Sequence, residues 1–379
     1  MSVFTNFWFI SSNWIYFWTR YMTYGQLGII DGIAFAFALL LDIPTGAIAD
    51  LLGKKKTVII ACLFAFVGTF LIATSSSMQV FFVGWMVCQI GLAMYSGAME
   101  ALAYDSLVDL KEEHLYEKVI AKSSAIITYT FAITAFLGSF IYAIHFRLPH
   151  ILWSLSYLFA GIAGLWLVEP TFQEKRFSLK TYWRQIGLGV SELFRTKLRG
   201  YLLFILILLG VYFMYSWGFV RPAIADSFGF KVREQGIVVP IITVMVAFIV
   251  SLLPKIRKHI SDFNGLVTLC LIMGIGFVLA TPKIGYFGFF VMLMIALGGN
   301  LAYPWISVVV NKEIPSSHRA TTLSAVAFIT KIPYVVLAIA AGQAVEGGKL
   351  YLFNLTIGLI IFAAVILGIV VYRKQEVSS

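Results

Sequence analysis

The chain has 379 residues, 60% of them hydrophobic and only 12% charged, with a formal net charge of +10 and a mean hydropathy of +0.91. A water-soluble globular chain carries roughly 25% charged residues, so too little polar surface is present to cover a soluble fold of this length. Nucleic acid is excluded as the reason for the positive charge, because the basic residues sit in short segments between apolar runs.

Inside a bilayer only helices and closed barrels satisfy their own backbone. A barrel would show ten-residue alternation. The runs here are continuous and close to the roughly 20 residues that a spanning helix needs. The expected fold is therefore an all-α membrane protein with twelve runs: 3–21, 26–48, 57–74, 79–104, 119–144, 150–168, 200–220, 236–254, 264–281, 285–308, 322–343 and 350–372. The first run lacks a basic leader and a small-residue cleavage site and exceeds a signal's apolar core, so it reads as a retained spanning helix. Thr23-Tyr-Gly-Gln26 has the spacing of a capping box opening the second helix. Pro149 and Pro282 fall at helix boundaries, where a missing N–H costs least.

Orientation follows from lysine and arginine. With a cytoplasmic N-terminus, the inside segments hold 20 basic residues and the outside segments 7, Lys331 being the one within a helix. Both termini are thereby expected in the cytoplasm, in a multi-pass protein of the plasma (cell inner) membrane. The longest polar segment divides the helices six and six, giving bundles at 1–168 and 200–379 around a cytoplasmic linker at 169–199. Within that linker Trp183, Ile186, Val190, Leu193 and Phe194 recur at helical spacing among Lys180, Arg184, Arg195 and Lys197, which suits an amphipathic helix in the interface. A solvated linker with chance hydrophobes is the alternative. Charged loops recur at an offset of roughly 200 residues, as a six-plus-six repeat predicts.

The stretch Asp42–Lys56 reads DIPTGAIADLLGKKK, with spacing Gly46-x-x-x-Asp50-x-x-Gly53-Lys54-Lys55-Lys56. This resembles the loop signature of the major facilitator superfamily of transporters, G-x-x-x-D-R/K-x-G-R-K/R. It departs at Leu51, where the family usually has a basic residue. The likeness extends over the whole chain through twelve spans and a central basic linker. Two further stretches, Ser96–Leu107 (SGAMEALAYDSL) and Asn311-x-x-Ile-Pro-x-x-x-Arg-Ala-Thr-Thr-Leu-Ser324, resemble a bacterial-type subgroup. The resemblance implies two pseudo-symmetric six-helix bundles, a central cavity lined by helices 1, 4, 7 and 10, and alternating access of one site.

It also implies a cytoplasmic gate formed by Gly46, Asp50, Gly53, Lys54, Asp105 and Arg319. In that gate Asp50 would accept hydrogen bonds from the free N–H groups starting helix 11 near Thr321 and Thr322, assisted by the helix dipole. Lys54 would pair with Asp105, and Gly46 would let helices 2 and 11 approach closely. The plainer reading is a lysine run that only orients the helix and a solvated Asp50. The arginine in helix 4 and the Gly-Pro pair in helix 5 that mark the family's drug/proton antiporters are absent: Trp85 and Met86 stand near the arginine's place, and Gly138-Ser139 carries no proline.

An ionisable group inside a spanning helix is a functional candidate by default. Lys331 lies roughly 15 Å into helix 11, followed by Pro333. Asp31 and Asp42 share a face of helix 2, Glu100 lies in helix 4, and Arg221 closes helix 7. Lys331 is expected to pair with Asp31 or Glu100; a buried structural ion pair, or a side chain that snorkels to an interface, is the competing reading. Asn13, Gln89, Trp217, Asn300 and Tyr303 are the polar and aromatic candidates on the cavity helices.

The expected partners are a small organic solute, protons and the lipid bilayer, with the chain a monomer and efflux or uniport open. No cofactor is expected. Cys62, Cys88 and Cys270 lie in apolar runs without metal-binding spacing, and the five histidines are scattered. A polytopic enzyme is the competing class, but HExxH, GxGD and an evident Ser/His pair are missing. A transporter-like sensor without flux is the third.

Overall fold

The protein's structure, a computed structural model, describes residues 1–171, 180, 183, 184, 187, 188, 191, 194, 197–313 and 319–378. The side chains of 42–51, 97, 113, 117, 121, 197, 311, 313, 319–324 and 375–378 lie outside that description. The amphipathic helix expected in 169–199 falls largely outside it as well. Among the described residues the fold is all helical: α1 Ser2–Thr5, α2 Trp14–Trp18, α3 Tyr24–Leu52, α4 Lys54–Thr74, α5 Met78–Asp109, α6 Tyr116–Ile144, α7 Leu148–Gly164, α8 Leu202–Trp217, α9 Val220–Ser227, α10 Val232–Ser251, α11 Leu253–Ile256, α12 Asp262–Leu279, α13 Gly288–Glu313, α14 Arg319–Glu346 and α15 Leu350–Ser378.

Helix starts follow local chemistry. The Thr23–Gln26 capping box forms: Gln26 Oε1 accepts from the Thr23 N–H at 3.0 Å, and Thr23 Oγ1 accepts from the Gln26 N–H at 3.3 Å. Ser77 and Ser261 cap α5 and α12 by accepting from the Val80 and Asn264 N–H groups. Pro149 stands in the first turn of α7, where its missing donor costs nothing.

Among the described residues nine helices are long and apolar enough to cross a membrane, and the bent pair α8–α9 makes a tenth. The shorter apolar α7 and the divided first run are consistent with the twelve expected. Side chains such as Phe248, Val336 and Ile366 are exposed on these helices, a disposition that suits contact with lipid and not with water.

Two expected helices are not continuous. The first run, 3–21, is helical only at α1 and α2. Between them Asn13 Nδ2 donates to the Phe9 carbonyl at 2.6 Å, a side-chain bond that competes with the helical ladder. The seventh run bends by 69° between α8 and α9. Gly218 sits at the bend in an extended conformation, and a Cβ there would lie 2.7 Å from the Tyr334 hydroxyl.

By contacts the chain forms two compact units. Unit 1 comprises Met1–Met22, Ile33–Tyr182 and Val232–Pro240, and unit 2 comprises Thr23–Gly32, Trp183–Lys231 and Ile241–Ser379. In unit 1, α4 packs on α5 and α7. Gly68 and Gly84 let α4 and α5 touch backbone to backbone, since a Cβ on Gly84 would lie 2.8 Å from the Gly68 carbonyl. In unit 2, α12 packs on α13 and α15, and α8 on α13, α14 and α15. The third, fourth and sixth spans thus repeat the packing of the ninth, tenth and twelfth, as an internal duplication predicts.

Candidate gating and solute site

At the lysine loop, Gly53 adopts φ +91°, a left-handed conformation that only glycine takes freely. This turn ends α3 and starts α4 at Lys54. Glu169 seats its carboxylate on the new helix start, accepting from the Lys54 N–H at 2.6 Å and the Lys55 N–H at 2.8 Å. Free N–H groups and the positive end of the helix dipole favour an anion there. The Lys54 ammonium forms an ion pair with the Asp105 carboxylate at the far end of α5, both side chains being nearly buried. For Asp42, Gly46 and Asp50 the backbone is helical, and Arg319 opens α14. The side chains of these residues lie outside the described set, so the expected seat of Asp50 on α14 does too.

Unit 2 repeats this arrangement with the charges reversed. Asp262, in the first turn of α12, pairs with Arg257 and, at 2.6 Å, with Lys312 at the end of α13. Lys54 and Asp262, like Asp105 and Lys312, are separated by roughly 200 residues, the spacing of the repeat.

A seam between α3 and α14 builds the second centre, within unit 2. Gly28 and Gly32 lie against the Ala338 and Val335 carbonyls; a Cβ would come within 2.5 Å and 2.8 Å of those oxygens. Such contact needs residues without side chains. At one end of the seam Glu346 accepts from the Gly25 N–H at 2.7 Å and from Thr23 Oγ1 at 3.0 Å. A carboxylate on the last turn of α14 thereby caps the start of α3. Further along, Asp31 is 2% exposed, and its carboxylate accepts a hydrogen bond from the Tyr334 hydroxyl. That hydroxyl lies beside the Gly218 bend, and Phe213 packs edge-on against the Tyr334 ring at 5.4 Å. The second, seventh and eleventh spans therefore meet at one polar point. Lys331, partly buried, lies one turn before Tyr334 on α14.

The other candidates distribute as follows. Asn300 donates to the Tyr212 hydroxyl at 2.5 Å and to the Ala296 carbonyl at 2.8 Å, linking α13 to α8. Arg221 on α9 lies within electrostatic reach of Tyr212 and Tyr215. Trp217 and Tyr303 are exposed, as is Glu100, which lies near Tyr116. In unit 1, Asn13 and Gln89 are buried. Among the described residues, Asn13 Oδ1 and Ser12 Oγ, in the broken part of the first run, are buried without hydrogen-bond partners. Irregular backbone at membrane depth belongs where it is packed in protein or lines a cavity. Tyr16 accepts from Gln235 at 2.7 Å, tying α2 to α10.

Tyr334, Glu169, Glu346 and Gln235 are not among the candidates from sequence. Glu346 and Glu169 stand at helix ends, where an acid reads as a solvated residue. Tyr334 carries no charge to mark it, and its place one turn from Lys331 is the one signal of its role.

No curated protein matches the chain in sequence. Several solved structures share the fold. The nucleoside transporter NupG has a TM-score of 0.76 at 14% identity over 98% of this chain and 97% of that one. A POT family transporter in complex with 5-aminolevulinic acid has a TM-score of 0.72 at 11% identity over 98% and 95%. An auto-inhibited POT family peptide transporter has a TM-score of 0.70 at 12% identity over 98% and 94%. The profile of the Major Facilitator Superfamily matches residues 1–338. With the helical architecture, the repeated packing and this match over most of its length, the chain belongs to the Major Facilitator Superfamily and is a multi-pass membrane transporter.

Proposed function

We propose that the protein is a proton-coupled secondary transporter of a small organic solute, working by alternating access. Asp31 carries the coupling proton. The supporting observation is the buried Asp31 carboxylate held by Tyr334 on a seam of glycines. A charge at this depth is costly. Protonation removes that charge, so the hydrogen bond from Tyr334 loses its charge assistance, which weakens the hold of Asp31 on Tyr334 and loosens α3 from α14. The Lys54–Asp105 pair forms the gate at the other end of α3. The aromatic side chains of α8 and α13, with Asn300 and Arg221, suit an amphipathic solute. Both termini lie in the cytoplasm, in the plasma membrane, and the monomer transports, with 1–168 and 200–379 as its halves and 169–199 between them.

Proteoliposomes under an imposed pH gradient test this, with solutes chosen by a thermal-stabilisation screen in which nucleosides and short peptides come first, after the names of the fold relatives. Asp31→Asn should abolish gradient-driven accumulation and leave solute exchange. Accumulation undiminished in Asp31→Asn would sink the assignment. Solute binding without flux would instead mark a sensor.

A further inference from the structure

Where α10, α12 and α13 end on one side of unit 2, an open cavity of about 300 Å³ is lined by Pro254, Arg257, Lys258, Asp262, Val308 and Lys312, among others. Three cations against one carboxylate leave it a net +2. Asp262 is shared between Arg257 and Lys312. Arg257 lies over the Trp305 ring, 5.4 Å from its centre, which fixes the guanidinium. Its Nε atom is buried and has no hydrogen-bond partner among the described residues. The Lys312 side chain is 58% exposed, and Lys258 is exposed too. Pro254, Ile260 and Val308 give the cavity an apolar wall.

We propose that this cavity binds the phosphodiester headgroup of an acidic phospholipid. The candidate spans Val232–Ser251, Asp262–Leu279 and Gly285–Val310 all end beside it, which puts the cavity at headgroup depth. Basic pockets between helix ends at this depth suit anionic headgroups. The phosphate oxygens accept from Lys258 and Lys312, while the glycerol and upper acyl chain lie along Pro254, Ile260 and Val308. A free phosphate would use the cations and leave the apolar wall bare. The bound lipid competes with Asp262 for Lys312 and so bears on the reversed counterpart of the Lys54–Asp105 pair.

The test is lipid binding by the full-length protein in detergent, read by native mass spectrometry and by thermal shift. The probes are phosphatidylglycerol, phosphatidylcholine and inorganic phosphate. Phosphatidylglycerol should bind in preference to phosphatidylcholine. Lys258→Gln should weaken it about fivefold, and Lys258→Gln with Lys312→Gln by more than tenfold. Lys258→Arg should retain it, and Lys349→Gln, outside the cavity, should have no effect. Circular dichroism identifies any variant that has lost its fold. Equal binding of the two lipids, or undiminished phosphatidylglycerol binding by the folded double variant, overturns the proposal. Stabilisation by inorganic phosphate with no response to phosphatidylglycerol overturns the lipid assignment.

Discussion

Gly28→Ala perturbs the α3–α14 seam directly. The added Cβ would lie 2.5 Å from the Ala338 carbonyl oxygen and 3.2 Å from Gly342 Cα, where ordinary contact begins at 3.4 Å. The helices must part by about 1 Å at this point, and a gap of that size weakens the dispersion attraction between facing atoms by a quarter to a half. Overpacking of this kind costs roughly 1–3 kcal/mol. If the cost falls on the closed seam alone, its opening equilibrium moves by roughly 5- to 150-fold. Hydrogen–deuterium exchange of the protein in nanodiscs reads this directly. Peptides covering Thr23–Gly32 and Tyr334–Glu346 should exchange faster by that factor, while α4 and α5 hold their rates. Unchanged exchange in both seam peptides would refute the steric argument. An equal acceleration in α4 and α5 would show a general loss of stability and refute a local gate.

Three further expectations follow from named contacts. Lys54→Met strands the nearly buried Asp105 carboxylate, so thermal stability should fall by roughly 3–5 kcal/mol. Asp105→Asn on that background should recover much of it, and equal loss in single and double variants would disprove the pairing. Gly53→Ala meets both the left-handed turn and Glu169 atoms at 3.1 Å; a melting-temperature loss equivalent to about 1–3 kcal/mol is expected, and it should shrink when Glu169→Ala removes the crowding. Glu346→Ala removes the carboxylate from the Gly25 N–H and Thr23 Oγ1. As Glu346 is exposed, the cost should be only about 0.5–1 kcal/mol and should fade with added salt. Salt-independent exchange of Thr23–Gly32 would count against the cap.

Long apolar runs and sparse charge make a helical bundle in a bilayer readable from residues alone, because no other fold with such continuous runs satisfies a backbone out of water. The lysine run likewise exposes the loop at Gly53, and the family resemblance of that loop points to the Lys54–Asp105 pairing. Local rules also foresee the Thr23–Gln26 box, whose partners are three residues apart. The break in the seventh run is hidden, since that stretch is as apolar as an unbroken span, whereas in the first run Ser11, Ser12 and Asn13 interrupt the apolar residues. Asn13 departs from the helix by bonding to Phe9, and Gly218 turns where Tyr334 fills the space a side chain would need. The partners of Asp31, Gly25 and Lys55 are equally hidden, lying more than a hundred residues away along the chain. Apolar period and charge count are local properties of the chain, but which acid meets which donor depends on how helices distant in sequence pack, and no local pattern encodes that.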